Sequence, residues 1–435
     1  MAASRATSAG SGRLGPAGAV AAVLLAVLVA AAAAPLTAQT VVGGDVRIFA
    51  FQVLEEIETE GGEDAAEDAG LGGSGGVELG ILRLKLDSRW QAGSRDRFRL
   101  EVHGVAQAVS PPGSGSLTSV ATGATRRFFD LESDSFGGAD VAGATEIDRL
   151  NLRWDRPGFR MVAGRQAITW GVNYFWPVLE LFAPFAPQRI DRAYKPGVDA
   201  LRFTVPVGDF SEVEVIAASQ GARTPDDLSF ASLGRFHSEL GEGASSLDFG
   251  YMVGGFHRDF VLGGFFSADV CGTGLRGEVS WTSPGCDPRS AHPVFGCGDF
   301  WRSTVGVDRL LTPTLTLIAE ASWNGFGAGD PADYARLADA DRVRRGEVVS
   351  LGRRHAALSL AWQAHPLLTV SGAVLFNRED SSALFQPGLA WSVSDNVAVG
   401  AGLIVTTGTG LRDGSLGSEY GAVPVVAWSS LTAYF

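Results

Sequence analysis

After Ala34 the sequence has no apolar run of the roughly 18 residues that a membrane-crossing helix requires, yet its mean hydropathy is +0.13. Lysine occurs only at Lys85 and Lys195, and cysteine only three times. There is no Gly-x-Ser-x-Gly elbow, no His-Glu-x-x-His, no P-loop and no dinucleotide fingerprint. Six histidines are scattered singly. These absences argue against an enzyme and against a resident cofactor or metal. No basic tail points to nucleic acid. A chain that is apolar on average but lacks long apolar runs distributes its apolar residues by alternation, as the wall of a transmembrane barrel does.

The first 38 residues read as an export signal. Arg5 and Arg13 supply positive charge, no acidic residue precedes Asp45, and residues 17–34 are almost entirely Ala, Val and Leu. Pro35-Leu36-Thr37-Ala38 then offers small residues for cleavage before Gln39. A retained anchor is the alternative, for which the segment is short. Residues 39–435 are expected to form a single domain.

Period-two alternation marks several strands. Leu82, Leu84 and Leu86 interleave with Arg83, Lys85, Asp87 and Arg89; Phe98, Leu100 and Val102 interleave with Arg97, Arg99, Glu101 and His103. The same pattern recurs at 315–324 and 353–363. A soluble sandwich alternates too, so loop length has to decide between them. Short turns fall near Gly93-Ser94, Arg156-Pro157, Gly208-Asp209, Gly241-Gly243, Gly272-Gly274, Thr312-Pro313, His365-Pro366 and Asp395-Asn396. Between them lie mostly long connections: 58–75, 111–143, 170–197, 220–227, 284–298, 326–349 and 408–422, with brief ones at His257-Asp259 and Arg378-Ser381. Short periplasmic turns alternating with long external loops are the plan of an outer-membrane barrel. The expectation is an all-β antiparallel barrel of 18 strands, with 16 as the fallback and both ends in the periplasm. The strand at 228–239 is demanded by parity more than by its own pattern.

Val423, Val425, Ala427, Leu431 and Phe435 share one face of the last strand. A terminal Phe435 resembles the signal read by the outer-membrane insertion machinery, the first partner expected. Trp90, Trp154, Trp281, Trp301, Trp323 and Trp391 fall near strand ends, where aromatic girdles form.

Alternation fails at Gly164-Arg165-Gln166-Ala167-Ile168-Thr169-Trp170-Gly171, because Arg165 falls on the face of Phe159 and Met161. The connection that follows, 170–197, is rich in Trp, Phe and Pro and too apolar to stand in water. It is expected to fold inward as a constriction that includes Arg165 and Trp170, with Trp176 and Phe182 packed inside and Arg189, Asp191, Arg192 and Lys195 near the passage. A loop packed over the barrel mouth, its charges paired with one another, is the alternative. The Gly-Arg-Gln-x-x-x-Trp-Gly run, with Leu275-Arg276-Gly277-Glu278, resembles motifs of porin-like outer-membrane barrels, including those similar to alginate-export channels. That resemblance implies a solute-conducting barrel of 18 strands and names no substrate.

The formal charge of −13 collects in segments such as Glu60–Asp68 and Asp130–Asp140, which read as solvated loops. If the apolar face meets lipid, then Arg83, Lys85, Arg89, Arg97, Arg99, Arg149, Arg153 and Arg202 point inward, against Asp87 and Glu101. A basic wall in a narrow pore selects by charge, which favours small anionic or polar solutes; a field of paired charges without preference is the alternative. An export conduit for an anionic polysaccharide would use the same arginines, and a membrane-embedded hydrolase or a purely structural barrel are weaker readings. Cys286 and Cys297 sit close enough to pair in one external loop, and Cys271 is left in a periplasmic turn. The oligomeric state is open.

Overall fold

A computed structural model describes residues 38–55, 59–60, 76–111, 127–129, 131–137, 140–192, 194–219, 221, 228–239, 246–285, 297–412 and 415–435. The export signal before Ala38, the acidic run Glu60–Asp68 apart from its first residue, the turn Gly241–Gly243 and Cys286 lie outside them.

Eighteen antiparallel strands close on themselves in sequence order. They are β1 Gln39–Glu55, β2 Gly76–Ala92, β3 Asp96–Ser110, β4 Ala142–Arg156, β5 Phe159–Gln166 and β6 Val198–Val207. Next come β7 Ser211–Ser219, β8 Leu228–Glu239, β9 Ser246–Phe256, β10 Asp259–Val270, β11 Thr273–Ser283 and β12 Phe300–Thr312. The last six are β13 Leu315–Asn324, β14 Arg354–His365, β15 Leu368–Asn377, β16 Ala383–Ser394, β17 Val397–Thr407 and β18 Val425–Tyr434. The expected count is therefore met. So is the strand that parity requires more than its own pattern does, which spans Leu228–Glu239. A further short strand, Glu132–Gly137, lies in the long connection before β4 and pairs with it.

Closure runs from Asp45↔Tyr434 to Val53↔Val426 between β1 and β18, which removes the exposed edges that an open sheet would present. Phe435 extends that seam. Its amide donates to Gly44 O at 3.1 Å and its carbonyl accepts from Gly44 N at 2.9 Å. A Cβ on Gly44 would meet Arg83 O at 2.3 Å and the Phe435 ring at 2.7 Å, so glycine is what lets the terminal aromatic seat.

The outward face is apolar and exposed: Leu201, Phe203, Val205 and Val207 of β6 are each at least 37% accessible. Such a belt on a closed barrel is a hydrocarbon-facing surface, and places the protein in the bacterial outer membrane. Aromatic side chains mark its two edges. At the short-turn end Trp90, Phe98, Trp154, Phe159 and Phe203 form a continuous series of ring contacts 5.0–6.1 Å apart. At the opposite end Phe260, Trp281 and Trp301 do the same.

The inward face is not polar throughout. Towards the long loops, Phe49, Phe51 and Val53 of β1, Val77, Leu79 and Ile81 of β2, Leu375 of β15, Leu384 of β16 and Val426 of β18 point inside and are buried. They form a core within the barrel together with Phe175, Trp176 and Tyr420 from loops. A second interior core joins Ile168, Trp170, Leu179 and Phe182 to the walls of β7–β10. A third, under the loop between β13 and β14, gathers Phe300, Phe326, Tyr334, Leu337 and Val348.

Candidate functional site: the interior loop and the charged walls

The chain leaves the wall after β5. Gly164 has φ +112°, and a Cβ there would meet Leu150 O at 2.2 Å. This left-handed step is open to glycine at little cost, and it breaks the alternation next to Arg165. Arg165, expected as part of the constriction loop, is 1% exposed, pairs with Asp199 at 2.9 Å, and donates to the carbonyls of Ile147 and Phe129. Asp199 also accepts the amides of Phe128 and Phe129. The Arg165–Asp199 pair thus fastens the loop before β4 to the barrel rim.

The following segment reaches walls far from β5. Glu278 of β11 accepts the amides of Val172 at 2.5 Å, Asn173 at 2.7 Å and Leu179 at 2.9 Å. Glu320 of β13 accepts the amides of Tyr174, Phe175 and Trp176, the latter two at 2.8 and 3.3 Å. Glu214 of β7 accepts the Trp170 indole N–H at 2.8 Å, and Thr304 of β12 donates to Trp176 O at 2.7 Å. Gln386 of β16 donates to Gln188 O at 2.9 Å. Contacts to β7, β11, β12, β13 and β16 place residues 170–188 across the barrel interior.

The returning half is held by cations. Arg47 of β1 donates two bonds to Asp191, at 2.8 and 2.9 Å. Tyr194 lies under the Arg83 guanidinium at 3.7 Å and the Arg149 guanidinium at 4.8 Å, and its hydroxyl meets His103 Nδ1 at 2.6 Å. Arg192 donates to Tyr174 O and Pro187 O within the loop. Lys195 pairs with Glu180; burial pushes the lysine down and the carboxyl up, and the ion pair opposes both. Arg189 lies 4.8 Å over Phe185, and burial lowers its pKa to about 10.

The expected basic wall divides in two. Arg83 and Arg149 are 4% and 6% exposed and belong to the loop's anchorage, each beside a carboxylate: Arg83 with Asp45 at 2.9 Å, Arg149 with Asp148 at 2.5 Å. Lys85 also reaches Asp45, at 2.8 Å. Towards the periplasmic turns, Arg89, Arg97, Arg99 and Arg153 face water. Asp87 receives Arg89 at 2.9 Å and Arg99 Nε at 2.6 Å, and Asp155 receives Arg153 at 2.7 Å. Arg97 is exposed, with no ion pair among the described residues. Arg202 lies 3.6 Å from Glu214.

Across the periplasmic half stand Glu212, Asp248, Asp269 and Asp308, which the strand register turns inward on β7, β9, β10 and β12, Asp308 being paired with Arg276 of β11 at 3.0 Å. The remaining arc is uncharged: Thr369, Ser371, Gly388, Ala390, Gly400, Ser430 and Thr432 face inward on β15–β18. Sequence reading missed Asp45, Tyr194 and the anchoring roles of Glu214, Glu278 and Glu320. Inward parity identifies the glutamates; their partners are not local.

The pairing expected between Cys286 and Cys297 involves a residue outside the description. Cys271 lies in the β10–β11 turn, with φ +52°.

No family model matches the chain, and no curated protein matches it. Solved structures do. Acinetobacter baumannii OccAB2 aligns over 91% of this chain and 98% of its own, with 9% identity and a TM-score of 0.51. Pseudomonas aeruginosa OccD3 (OpdP) aligns over 91% of both chains, with 10% identity and a TM-score of 0.51. At that identity the likeness is one of fold, and the chain has the fold of an outer-membrane channel.

Proposed function

We propose that the protein is a passive outer-membrane channel for small polar solutes that favours anions, with residues 170–197 as its constriction. The observation that carries the charge preference is a difference in exposure. Where the loop crosses, the acidic wall is hidden: Glu214, Glu278 and Glu320 are 6%, 3% and 4% exposed and are occupied by N–H donors of the loop. The arginines below keep contact with water, the Arg89 side chain at 64% and Arg99 at 35%, whereas the water-facing Asp248 and Asp308 across from them are hydrogen-bonded to His237 and paired with Arg276. Field lines in a low-dielectric channel concentrate on charges that water can reach. The carboxylates Asp87 and Asp155, each shared by two arginines, leave that arc cationic.

The reversal potential of a single channel in a salt gradient tests this reading. Anion selectivity is expected, reduced by Arg97→Gln with Arg99→Gln. Cation selectivity of the unaltered protein overturns the preference. Absence of any conductance overturns the channel, and leaves the polysaccharide conduit, hydrolase and structural barrel as the readings to pursue.

A further inference from the structure

One stretch of the inward wall in the long-loop half is hollow. On β4, Ala142, Gly143 and Ala144 follow one another with no side chain larger than a methyl. They stand opposite Val109, Ala108 and Gln107 of β3, and Val109 in turn stands opposite Leu79 of β2. Leu79 and Val109 pack with the first interior core, so this face looks into the barrel. Leu79 and the six residues of β3 and β4 line a cavity of about 250 Å³.

The lining carries no ionisable side chain. Its peptide groups belong to the β2–β3–β4 ladders. The one polar side chain, the Gln107 carboxamide, makes no hydrogen bond among the described residues. The charges next along β4 answer one another. Glu146, the register partner of Val105, pairs with Arg127, whose Nη2 also meets Asp148 at 2.6 Å. An anion in the cavity would therefore find no spare cation there. The volume is several times the roughly 30 Å³ share of a liquid water molecule, and larger than the roughly 150 Å³ of an engineered apolar cavity that binds benzene. Water placed against these walls finds one carboxamide and otherwise methyl and methylene groups, and an apolar group displaces such water favourably.

We infer that this cavity is a binding site for a compact, uncharged apolar group, a ring or short branched chain whose single polar substituent bonds to Gln107. A ligand carrying a carboxylate would have to bury its charge without a partner. The site lies on the long-loop side, apart from the periplasmic arginines, and it fills whether or not the barrel conducts.

The test uses the full barrel in lipid nanodiscs, because detergent tails would compete, with 4-fluorobenzyl alcohol as the probe. The fluorine NMR linewidth is expected to report saturable binding above the background of empty nanodiscs. 4-Fluorobenzoate should bind about tenfold more weakly, or not at all. Gln107→Leu should weaken binding of the alcohol about fivefold, the loss of one hydrogen bond, and leave fluorobenzene unaffected. Ala144→Trp fills the cavity and should abolish the saturable part. Ala144→Leu, a smaller change that spares the fold if tryptophan does not, should weaken it several-fold while the folded band persists on unheated gels. The site is refuted if the broadening does not saturate, or if folded Ala144→Leu binds as the unaltered protein does. Equal or tighter binding of 4-fluorobenzoate also overturns it, because the lining would then be answering a charge.

Discussion

Replacing Glu278 by alanine should release the near half of the interior loop while leaving the barrel intact. The carboxylate receives Val172 N, Asn173 N and Leu179 N at 2.5–2.9 Å, with Asn173 Nδ2 at 3.2 Å, and forms no ion pair among the described residues. A hydrogen bond to a charged acceptor contributes about 1.5 kcal/mol net at the low end, so three backbone bonds amount to roughly 4–5 kcal/mol. At about 1.4 kcal/mol per decade, the detached loop becomes on the order of a thousandfold more populated. Amide hydrogen exchange at residues 172–179, followed by mass spectrometry, should accelerate accordingly, while exchange in β11 and β12 stays slow. Single-channel conductance should rise and become noisier. Unchanged protection of those amides would refute the anchoring argument, and unchanged conductance beside accelerated exchange would refute the constriction.

Three further outcomes follow from the same geometry. Glu419 accepts the amides of Leu351 and Gly352 and pairs with His355 Nε2 at 2.8 Å; burial alone would raise its pKa, but His355 and those amides lower it below 4.5. Its contribution to stability is therefore complete above about pH 4.5 and fades as pH falls through the lowered value, so proteolysis of the external loops should quicken at pH 3 and not at pH 6. Gly164→Ala places a methyl 2.2 Å from Leu150 O at φ +112° and should lower stability by about 2 kcal/mol or more, read as a fall in the temperature at which the folded band is lost on unheated gels. Deleting Phe435 removes two seam bonds and the ring over Gly44; it should reduce assembled barrel in the outer membrane several-fold without altering expression, and equal assembly would refute the terminal signal.

The strand plan was legible because lipid enforces it. A wall with hydrocarbon outside has to alternate, and a chain crossing and returning has to come in pairs, so Leu228–Glu239 was recoverable from parity when its own residues were ambiguous. The interior was legible only where it is polar. In β1, Arg47, Phe49, Phe51 and Val53 point in while Val46, Ile48 and Leu54 point out, so both faces are apolar and alternation cannot tell core from lipid. The loop's anchorage was hidden for a different reason. Glu278 meets Asn173 across 105 positions and Glu320 meets Phe175 across 145. Local patterning turns a glutamate inward without saying which distant amides reach it.

The acidic balance of the whole chain is a poor guide to what the passage prefers. The net charge of −13 sums loop carboxylates in water with carboxylates that serve as hydrogen-bond acceptors inside. A carboxylate surrounded by three amides has its charge answered by their dipoles, and it projects little field into the lumen. An arginine sharing one aspartate with a second arginine is only half answered. On the proposed reading, exposure and partner number along the passage set selectivity. Glu278→Ala again separates the two accounts. If total charge governed, removing one negative charge would strengthen anion preference by itself. If exposed charge governs, preference should shift only to the extent that the freed loop uncovers the wall, and locking the loop with an engineered crosslink should restore the original reversal potential while the charge stays absent.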